Sequence, residues 1–193
     1  MNKYLILLAS ILISGVSFAQ EEETEIKEDE NNLVPNGSFE KVGEGLRRPG
    51  EFELVESWAN ASLATSDAFA TETRSKYISV PENVYGYEEP YDGMNYASFV
   101  TYSYRHRKIK KSYITVDLKR KLEENSLYCV KFKASLSERS TYATNNLGVA
   151  LTKGKISEKS ESTIKQPNVL LSDKNEVVNQ REGWWEFCKR YAA

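Results

Sequence analysis

The segment Leu127–Leu136, with the sequence LYCVKFKASL, decides the fold because its apolar and polar residues alternate strictly. One set of alternate positions holds Tyr128, Val130, Phe132, Ala134 and Leu136, and the other holds Cys129, Lys131, Lys133 and Ser135. Successive side chains of a β-strand point to opposite faces of the sheet, so this alternation predicts a half-buried antiparallel strand. The apolar face needs a cover, which predicts a second sheet and therefore a β-sandwich.

Several shorter segments also favour strands, because they are rich in β-branched and aromatic residues and are bounded by Gly, Pro or Asn. They are Asn32–Glu40 (a kinked first strand or an edge entry, with a turn forced by Pro35 and Asn36-Gly37), Asn95–Tyr104, Ser112–Leu118, Asn146–Thr152, the region around Val169–Leu171, and Gly183–Ala193. Other segments predict an extended piece at Phe52–Trp58, a loop at Asn60–Lys76 and a helical turn at Leu118–Asn125. About seven or eight short strands predict an all-β antiparallel sandwich. The last segment ends inside an apparent strand, so we expect the final strand of the sandwich to be missing.

Residues 1–19 have the pattern of a secretory signal peptide. Lys3 precedes the apolar run Tyr4–Val16, and Ser17-Phe18-Ala19 places small residues at the cleavage positions. The run is too short to span a bilayer, and no Cys follows it to carry a lipid anchor. We therefore expect an exported protein in the periplasm, in the outer membrane or at the cell surface, with no transmembrane helix in the mature chain.

Residues 20–31 form an acidic segment with seven carboxylates and one lysine, which predicts a disordered spacer before a domain at 32–193. The whole chain has a formal net charge of −2. Without the leader's one positive charge and the spacer's net six negative charges, the domain carries a net charge of +3. This is far below the strong positive field of nucleic-acid-binding domains, so we expect no nucleic acid as a partner.

The two cysteines leave two interpretations open. Cys129 lies opposite the apolar face of its strand, and Cys188 lies in the last predicted strand. An exported protein can carry a disulfide, but a bridge requires Cα atoms within about 7 Å. The two residues are therefore either a cross-strand disulfide on the solvent side or two separate thiols.

The order of several motifs resembles one family. The motifs are NLVPNGSFE at Asn32–Glu40, Trp58, Gly86-Tyr87 with Pro90, Asp92-Gly93 with Tyr96-Ala97, Tyr104-Arg105, Leu118 with Leu122, Tyr128–Leu136, Tyr142–Gly148, and Trp184 with Tyr191 and Ala193. Together they resemble the N-terminal jelly-roll, carbohydrate-binding-module-like domains of Bacteroidetes OmpA-family envelope proteins. The resemblance implies a jelly roll related to galactose-binding folds. In that family a further strand follows the position of Ala193, which agrees with the expectation of a missing final strand, and the family's OmpA-type domain is not carried over to this chain.

The sequence favours binding over catalysis. His106 is the only histidine, its neighbours are basic, and the chain contains neither G-x-S-x-G nor H-E-x-x-H. One histidine and two cysteines cannot build the usual zinc sites. We therefore expect a non-catalytic module that binds glycan or another surface component, or that positions a partner domain. The alternatives are a carbohydrate-active enzyme on a jelly-roll scaffold and a purely structural component of a secretion or gliding assembly.

Two groups of residues are candidates for ligand binding. Aromatic rings stack on the CH faces of sugars, which favours a platform formed by Trp58, Tyr85, Tyr87 and Tyr91, although packing of these rings inside the domain is the competing interpretation. The basic run Arg105–Lys111 includes the candidates Arg105, Arg107 and Lys108. It favours contact with an anionic glycan or membrane surface, and a solvated loop or a protected edge strand is its alternative.

Glu40 is the candidate for a metal ligand. It ends the first predicted strand, where related sandwiches hold a structural calcium ion. Calcium takes six to eight oxygen ligands, including carboxylates, and we expect the others to come from the missing strand. No other cofactor is expected.

Overall fold

The structure is a computed structural model that describes residues 30–105, 108–164, 169–172 and 176–193. The predicted signal peptide and nearly all of the predicted acidic spacer lie outside these ranges. The described residues form twelve β-strands and one short 3-10 helix, and all six strand pairs are antiparallel. The prediction of an all-β antiparallel fold is therefore confirmed. None of the helical structure in these ranges is long and apolar enough to cross a membrane.

The strands are short and mostly pair over long distances in sequence. In chain order they are β1 (Trp58–Asn60), β2 (Asp67–Ala70), β3 (Glu82–Asn83), β4 (Gly86–Tyr87), β5 (Asn95–Ser98), β6 (Ser103–Arg105), β7 (Lys108–Lys110), β8 (Ile114–Val116), β9 (Leu127–Ala134), β10 (Gly148–Leu151), β11 (Val169–Ser172) and β12 (Trp185–Ala192). The pairs are β1 with β8, β2 with β5, β3 with β4, β6 with β7, β9 with β12 and β10 with β11. This pattern is consistent with a β-sandwich, and the more specific jelly-roll topology stays a prediction.

The longest ladder joins β9 to β12 through eight residue pairs, from Trp185 opposite Ala134 to Ala192 opposite Leu127. Burial alternates along both strands, as the period-two pattern of β9 predicts. On the inner face, the rings of Phe132 and Phe187 stack with their centroids 4.6 Å apart, and Phe187 is almost completely buried. The strand predicted at Leu127–Leu136 is therefore confirmed, and it ends two residues earlier than expected.

The main apolar core lies in the first half of the domain. Its fully buried side chains include Phe52, Val55, Phe69 and Ile78, and partly buried residues such as Trp58 pack around them. β2 crosses this core with all four of its residues buried. The pairing of β2 with β5 leads directly from the core to the segment that carries the candidate tyrosines.

The prediction of a loop over Asn60–Lys76 is wrong, because β2 lies within it. A strand that is covered on both faces has no reason to alternate apolar and polar residues, so the period-two signal is absent. The expected extended piece at Phe52–Trp58 begins instead with the 3-10 helix Phe52–Leu54, in which the Val55 amide donates to the Phe52 carbonyl.

Two other local predictions differ from the structure. The turn predicted at Pro35 and Asn36-Gly37 is present, but Asn32–Glu40 contains no strand, and Asn36 and Phe39 have positive φ angles of 48° and 64°. The side chain of Asn36 stabilises this shape by bonding both the amide and the carbonyl of Lys41. The described backbone of Leu118–Asn125 contains no helical turn.

Candidate functional site

Tyr85, one of the candidate platform residues, belongs to the interior. Its hydroxyl donates a 2.8 Å hydrogen bond to Oδ2 of Asp67, and its ring packs edge-on against Phe69 with centroids 5.8 Å apart. Burial raises the pKa of Tyr85 well above its ordinary value, and the negative charge of Asp67 adds to the shift. These contacts favour the packing interpretation for Tyr85, and its place in a sugar platform stays a prediction.

Asp67 is a buried carboxylate whose charge is balanced by hydrogen-bond donors. It is only 6% exposed, and it accepts bonds from the amide of Gly50, the hydroxyl of Tyr85 and the hydroxyl of Ser98. Buried charges are tolerated when they are well hydrogen-bonded. These hydrogen bonds connect Tyr85, in the tyrosine-bearing segment, to Asp67 of β2 and through it to Ser98 of β5.

Tyr87 and Tyr91, by contrast, are 52% and 59% exposed. The Tyr87 hydroxyl donates a 2.6 Å bond to Glu89, and the ammonium group of Lys133 lies 4.4 Å from the centroid of the Tyr91 ring. Lys133 also forms an ion pair with Glu186, its partner in the β9–β12 register. We refer to Tyr87, Glu89, Tyr91, Lys133 and Glu186 as the tyrosine patch.

The segment that carries Tyr87, Glu89 and Tyr91 is fixed by hydrogen bonds to residues between β9 and β12. The Tyr87 amide donates to Glu138 at 2.9 Å, the Ser137 hydroxyl donates to the Tyr85 carbonyl at 2.6 Å, and the Arg139 side chain donates to the Val84 carbonyl at 3.1 Å. The Trp184 indole donates to the carbonyl of Glu89 at 2.9 Å. The exposed rings therefore stand on an anchored backbone.

Gly86 allows the backbone of the tyrosine-bearing segment to lie close to the side chain of Glu138. Its φ angle is +128°, which L side chains rarely adopt, and a Cβ atom there would lie 2.7 Å from Oε2 of Glu138 and 2.8 Å from its Cβ. Only glycine satisfies both constraints. Glycine is thus required at the point where the tyrosine-bearing segment contacts Glu138.

Both partners of the ion pair in the patch, Lys133 and Glu186, are charged at neutral pH. The hydrogen bond to Glu186 raises the pKa of Lys133, and the same bond lowers the pKa of Glu186. The hydrogen bond to Glu89 raises the pKa of Tyr87, so its hydroxyl stays protonated and can donate. The patch therefore offers two aromatic faces, two carboxylates and one ammonium group.

Trp58 has a separate location. Its indole Nε1 donates to the Asn36 carbonyl at 2.9 Å, and its ring lies 5.0 Å from that of Phe39. It also borders an open cleft of about 310 Å³ that is lined by the charged residues Glu53, Glu56, Asp117 and Lys155. The structure thus places Trp58 outside the tyrosine patch as defined above and gives it a packing contact with the main core.

The basic run lies partly outside the described residues. β6 and β7 pair with Arg105 opposite Lys108, whereas Arg107 and His106 are among the residues that the structure does not describe. At the far end of β7, Lys110 forms a 3.3 Å ion pair with Glu161. The proposed anion-binding role of Arg105, Arg107 and Lys108 stays a prediction.

The side-chain carboxylate of Glu40 fixes the backbone at the start of β5. Its Oε1 accepts hydrogen bonds from the amides of Met94 and Asn95, both 3.1 Å long, at the start of β5. Among the described residues, no group of three or more His, Cys, Asp or Glu side chains is arranged to hold a metal ion. The residues around Glu40 therefore give no support to a calcium site, which stays a prediction.

Two further carboxylates, those of Glu88 and Glu138, lie beside the patch. Burial raises the pKa of Glu88, and the nearby negative charges of Glu138 and Glu89 act in the same direction. The Ser135 hydroxyl donates to Glu88, and the Gly183 amide also bonds it. These carboxylates are the described groups that come nearest to an acid–base arrangement.

Sequence reasoning identified Tyr87 and Tyr91 but missed Lys133 and Glu186. The period-two pattern places Lys133 on the solvent-facing side of β9, which is a signal for exposure. Its contacts with Glu186 and Tyr91 depend on the pairing of β9 with β12 and on the docking of the loop, and neither can be read from one segment. In comparisons with known proteins, no family model, no curated protein and no solved structure matches this chain.

Proposed function

We propose that the protein is an exported, non-catalytic module of the cell envelope that binds glycan through the tyrosine patch. The observation that carries this proposal is the Tyr91 ring, which is more than half exposed although the ammonium group of Lys133 packs on it. The signal-peptide pattern supports export, and the resemblance to jelly-roll domains of OmpA-family envelope proteins supports a place in the cell envelope.

The chemistry of the patch suits a sugar. A pyranose presents CH groups on one face, which pack on an aromatic ring, and hydroxyl groups at its rim, which bond to charged side chains. Tyr91 supplies a ring, and Glu89, Glu186 and Lys133 supply acceptors and a donor around it. Because the backbone under Tyr87 and Glu89 is anchored, little ordering is needed when a ligand binds.

The experiment is a binding screen with immobilised oligosaccharides, insoluble peptidoglycan and lipopolysaccharide. We expect the natural protein to bind at least one of these probes and Tyr91→Ala to weaken that binding by roughly fivefold or more, since stacking of a ligand ring on one aromatic side chain is worth about 1–3 kcal/mol. Trp58→Phe is the control, because Trp58 lies outside the patch, and it should bind normally. Equal binding by Tyr91→Ala, or loss in Trp58→Phe alone, would overturn the assignment of the patch.

A carbohydrate-active enzyme is the second candidate, and the raised pKa of Glu88 favours it. Glycoside hydrolysis uses two carboxyl groups, one of which is kept protonated by its surroundings. Glu88 has such surroundings, with Glu138 and Glu89 beside it. Release of reducing sugar from a bound polysaccharide, abolished by Glu88→Gln, would establish this function and exclude the non-catalytic one.

A further inference from the structure

Cys129 and Cys188 form an exposed pair of thiols between the two longest strands. Their Sγ atoms lie 3.6 Å apart, and both residues are exposed. Both point away from the inner face that carries Phe132 and Phe187. The contact is between strands that are separated by more than fifty residues in the sequence, so it depends on the β9–β12 ladder.

The two cysteines are diagonal neighbours. Cys129 lies opposite Arg190, and Cys188 lies opposite Lys131, so the thiols belong to adjacent pairs on the same face. The right-handed twist of a two-stranded ladder brings one diagonal closer than the other. A disulfide has an S–S distance of about 2.05 Å, so the sulfur atoms must approach by about 1.5 Å. Diagonal neighbours lie about 7–8 Å apart, so closure combines side-chain rotation with a small movement of the strand backbone.

The groups around the pair act on the thiols in both directions. The thiols share a hydrogen bond, and this bond is the main reason that the pKa of Cys188 is raised. Lys131 acts in the opposite direction and favours the thiolate of Cys188. Loss of one proton from the pair leaves a thiolate in contact with the second sulfur, beside a positive charge and open to solvent.

We propose that Cys129 and Cys188 are a redox-active dithiol that closes into an intrachain disulfide between β9 and β12. One protein thiolate attacks an external disulfide, either a small molecule or an oxidoreductase, forms a mixed disulfide and releases one external thiolate. The second protein thiolate attacks the bonded protein sulfur and displaces the other external thiolate. The protein loses two electrons and two protons, and the external disulfide gains them as two thiols.

The bridge fixes β12 to β9. It encloses residues 130–187, and a loop of this length confers substantial stability by restricting the unfolded chain. We expect the bridged protein to melt roughly 5–15 °C higher than the reduced protein. This inference depends on the ladder geometry and not on glycan binding, so either can fail without the other.

The test is to equilibrate the purified protein in buffers of reduced and oxidised glutathione, to trap free thiols by alkylation and to measure intact mass. We expect a monomer with no alkylated cysteine in oxidising buffer, two alkylated cysteines in reducing buffer, and a cross-linked peptide that contains Cys129 and Cys188. Two free thiols in oxidising buffer, stable glutathione adducts on both cysteines, or covalent dimers would overturn the proposal.

A matched control uses the other diagonal of the same ladder. In the double variant Cys188→Ser with Ala192→Cys, the second thiol lies on the same exposed face but on the opposite side of Arg190. We expect the ratio of bridged to reduced protein to fall by roughly tenfold or more in this variant, because the twist separates this diagonal. Equal bridging in both proteins would show that the 3.6 Å contact is not what directs the reaction.

Discussion

The ammonium group of Lys133 packs on the ring of Tyr91 and at the same time forms an ion pair with Glu186. β9 supplies the lysine, β12 supplies the glutamate, and the segment before β5 supplies the tyrosine. One half-buried side chain thus joins three parts of the chain that are distant in sequence. The contact orients the ring while leaving more than half of the residue open to solvent.

Replacing Lys133 with Ala should weaken glycan binding by about two- to fivefold, because a cation–π contact at an exposed site is worth about 0.5–1 kcal/mol. The melting temperature should change little. Lys131→Ala is the matched control, since Lys131 lies on the same face of β9 but outside the tyrosine patch. Titration calorimetry of the three proteins with a glycan from the binding screen measures the effect. Equal losses in the two variants would show that net charge, and not the contact with Tyr91, is responsible.

Removing the hydroxyl of Tyr85 should destabilise the fold, whereas removing that of Tyr87 should not. Tyr85→Phe leaves the buried Asp67 carboxylate without one donor, at a cost of about 1.5–3 kcal/mol. Tyr87→Phe loses a bond to the exposed Glu89, at a cost below about 0.5 kcal/mol. Urea unfolding of both variants gives the comparison. Similar free energies of unfolding would contradict the interior position of Tyr85.

Stability should fall in strongly alkaline solution. Burial raises the pKa of Tyr96 from 10.0 to about 12, and it raises that of Tyr85 as well. The folded state therefore holds more protons than the unfolded state once the pH exceeds 10. The contribution of these tyrosines to the free energy of unfolding is fully present below pH 10 and is lost as the pH rises through 12.

Ultraviolet absorbance follows the tyrosine titration, and urea unfolding at a series of pH values follows stability. Tyr96→Phe should make the decrease between pH 10 and 12 shallower, because the group that binds the extra proton is gone. A single titration step near pH 10 for all tyrosines of the folded protein would contradict the burial of Tyr85 and Tyr96.

Gly86→Ala should be more harmful than Gly45→Ala, although both glycines have positive φ angles. Around Gly45 no atom lies within 4 Å of an added Cβ, so the cost there is backbone strain of about 1 kcal/mol. At Gly86 the new Cβ also meets Glu138, which raises the expected cost to about 2–3 kcal/mol or more. Thermal unfolding of both variants tests the contact between the tyrosine-bearing segment and Glu138. A smaller loss in Gly86→Ala than in Gly45→Ala would mean that this contact is absent.

The sequence predicts parts of this fold well, and the reason is one-sided burial. β9 and β12 each have one face inward and one face outward, so their residues alternate and the strands can be recognised locally. β2 is buried on both faces, and its residues Asp67–Ala70 give no alternating signal. The candidate site follows the same logic. The tyrosines are visible as aromatic residues in a Gly- and Pro-containing segment, but the contact of Tyr91 with Lys133 depends on long-range pairing.

The central claim, that the tyrosine patch is the ligand-binding surface, is tested most directly by nuclear magnetic resonance. A glycan that binds in the screen is titrated into the isotopically labelled protein, and the amide shifts are mapped on the structure. The account predicts that the largest shifts occur at Tyr87, Glu89, Tyr91, Lys133 and Glu186, with an unchanged glycan at the end of the titration. Shifts confined to the cleft beside Trp58, or a glycan cleaved during the experiment, would contradict it.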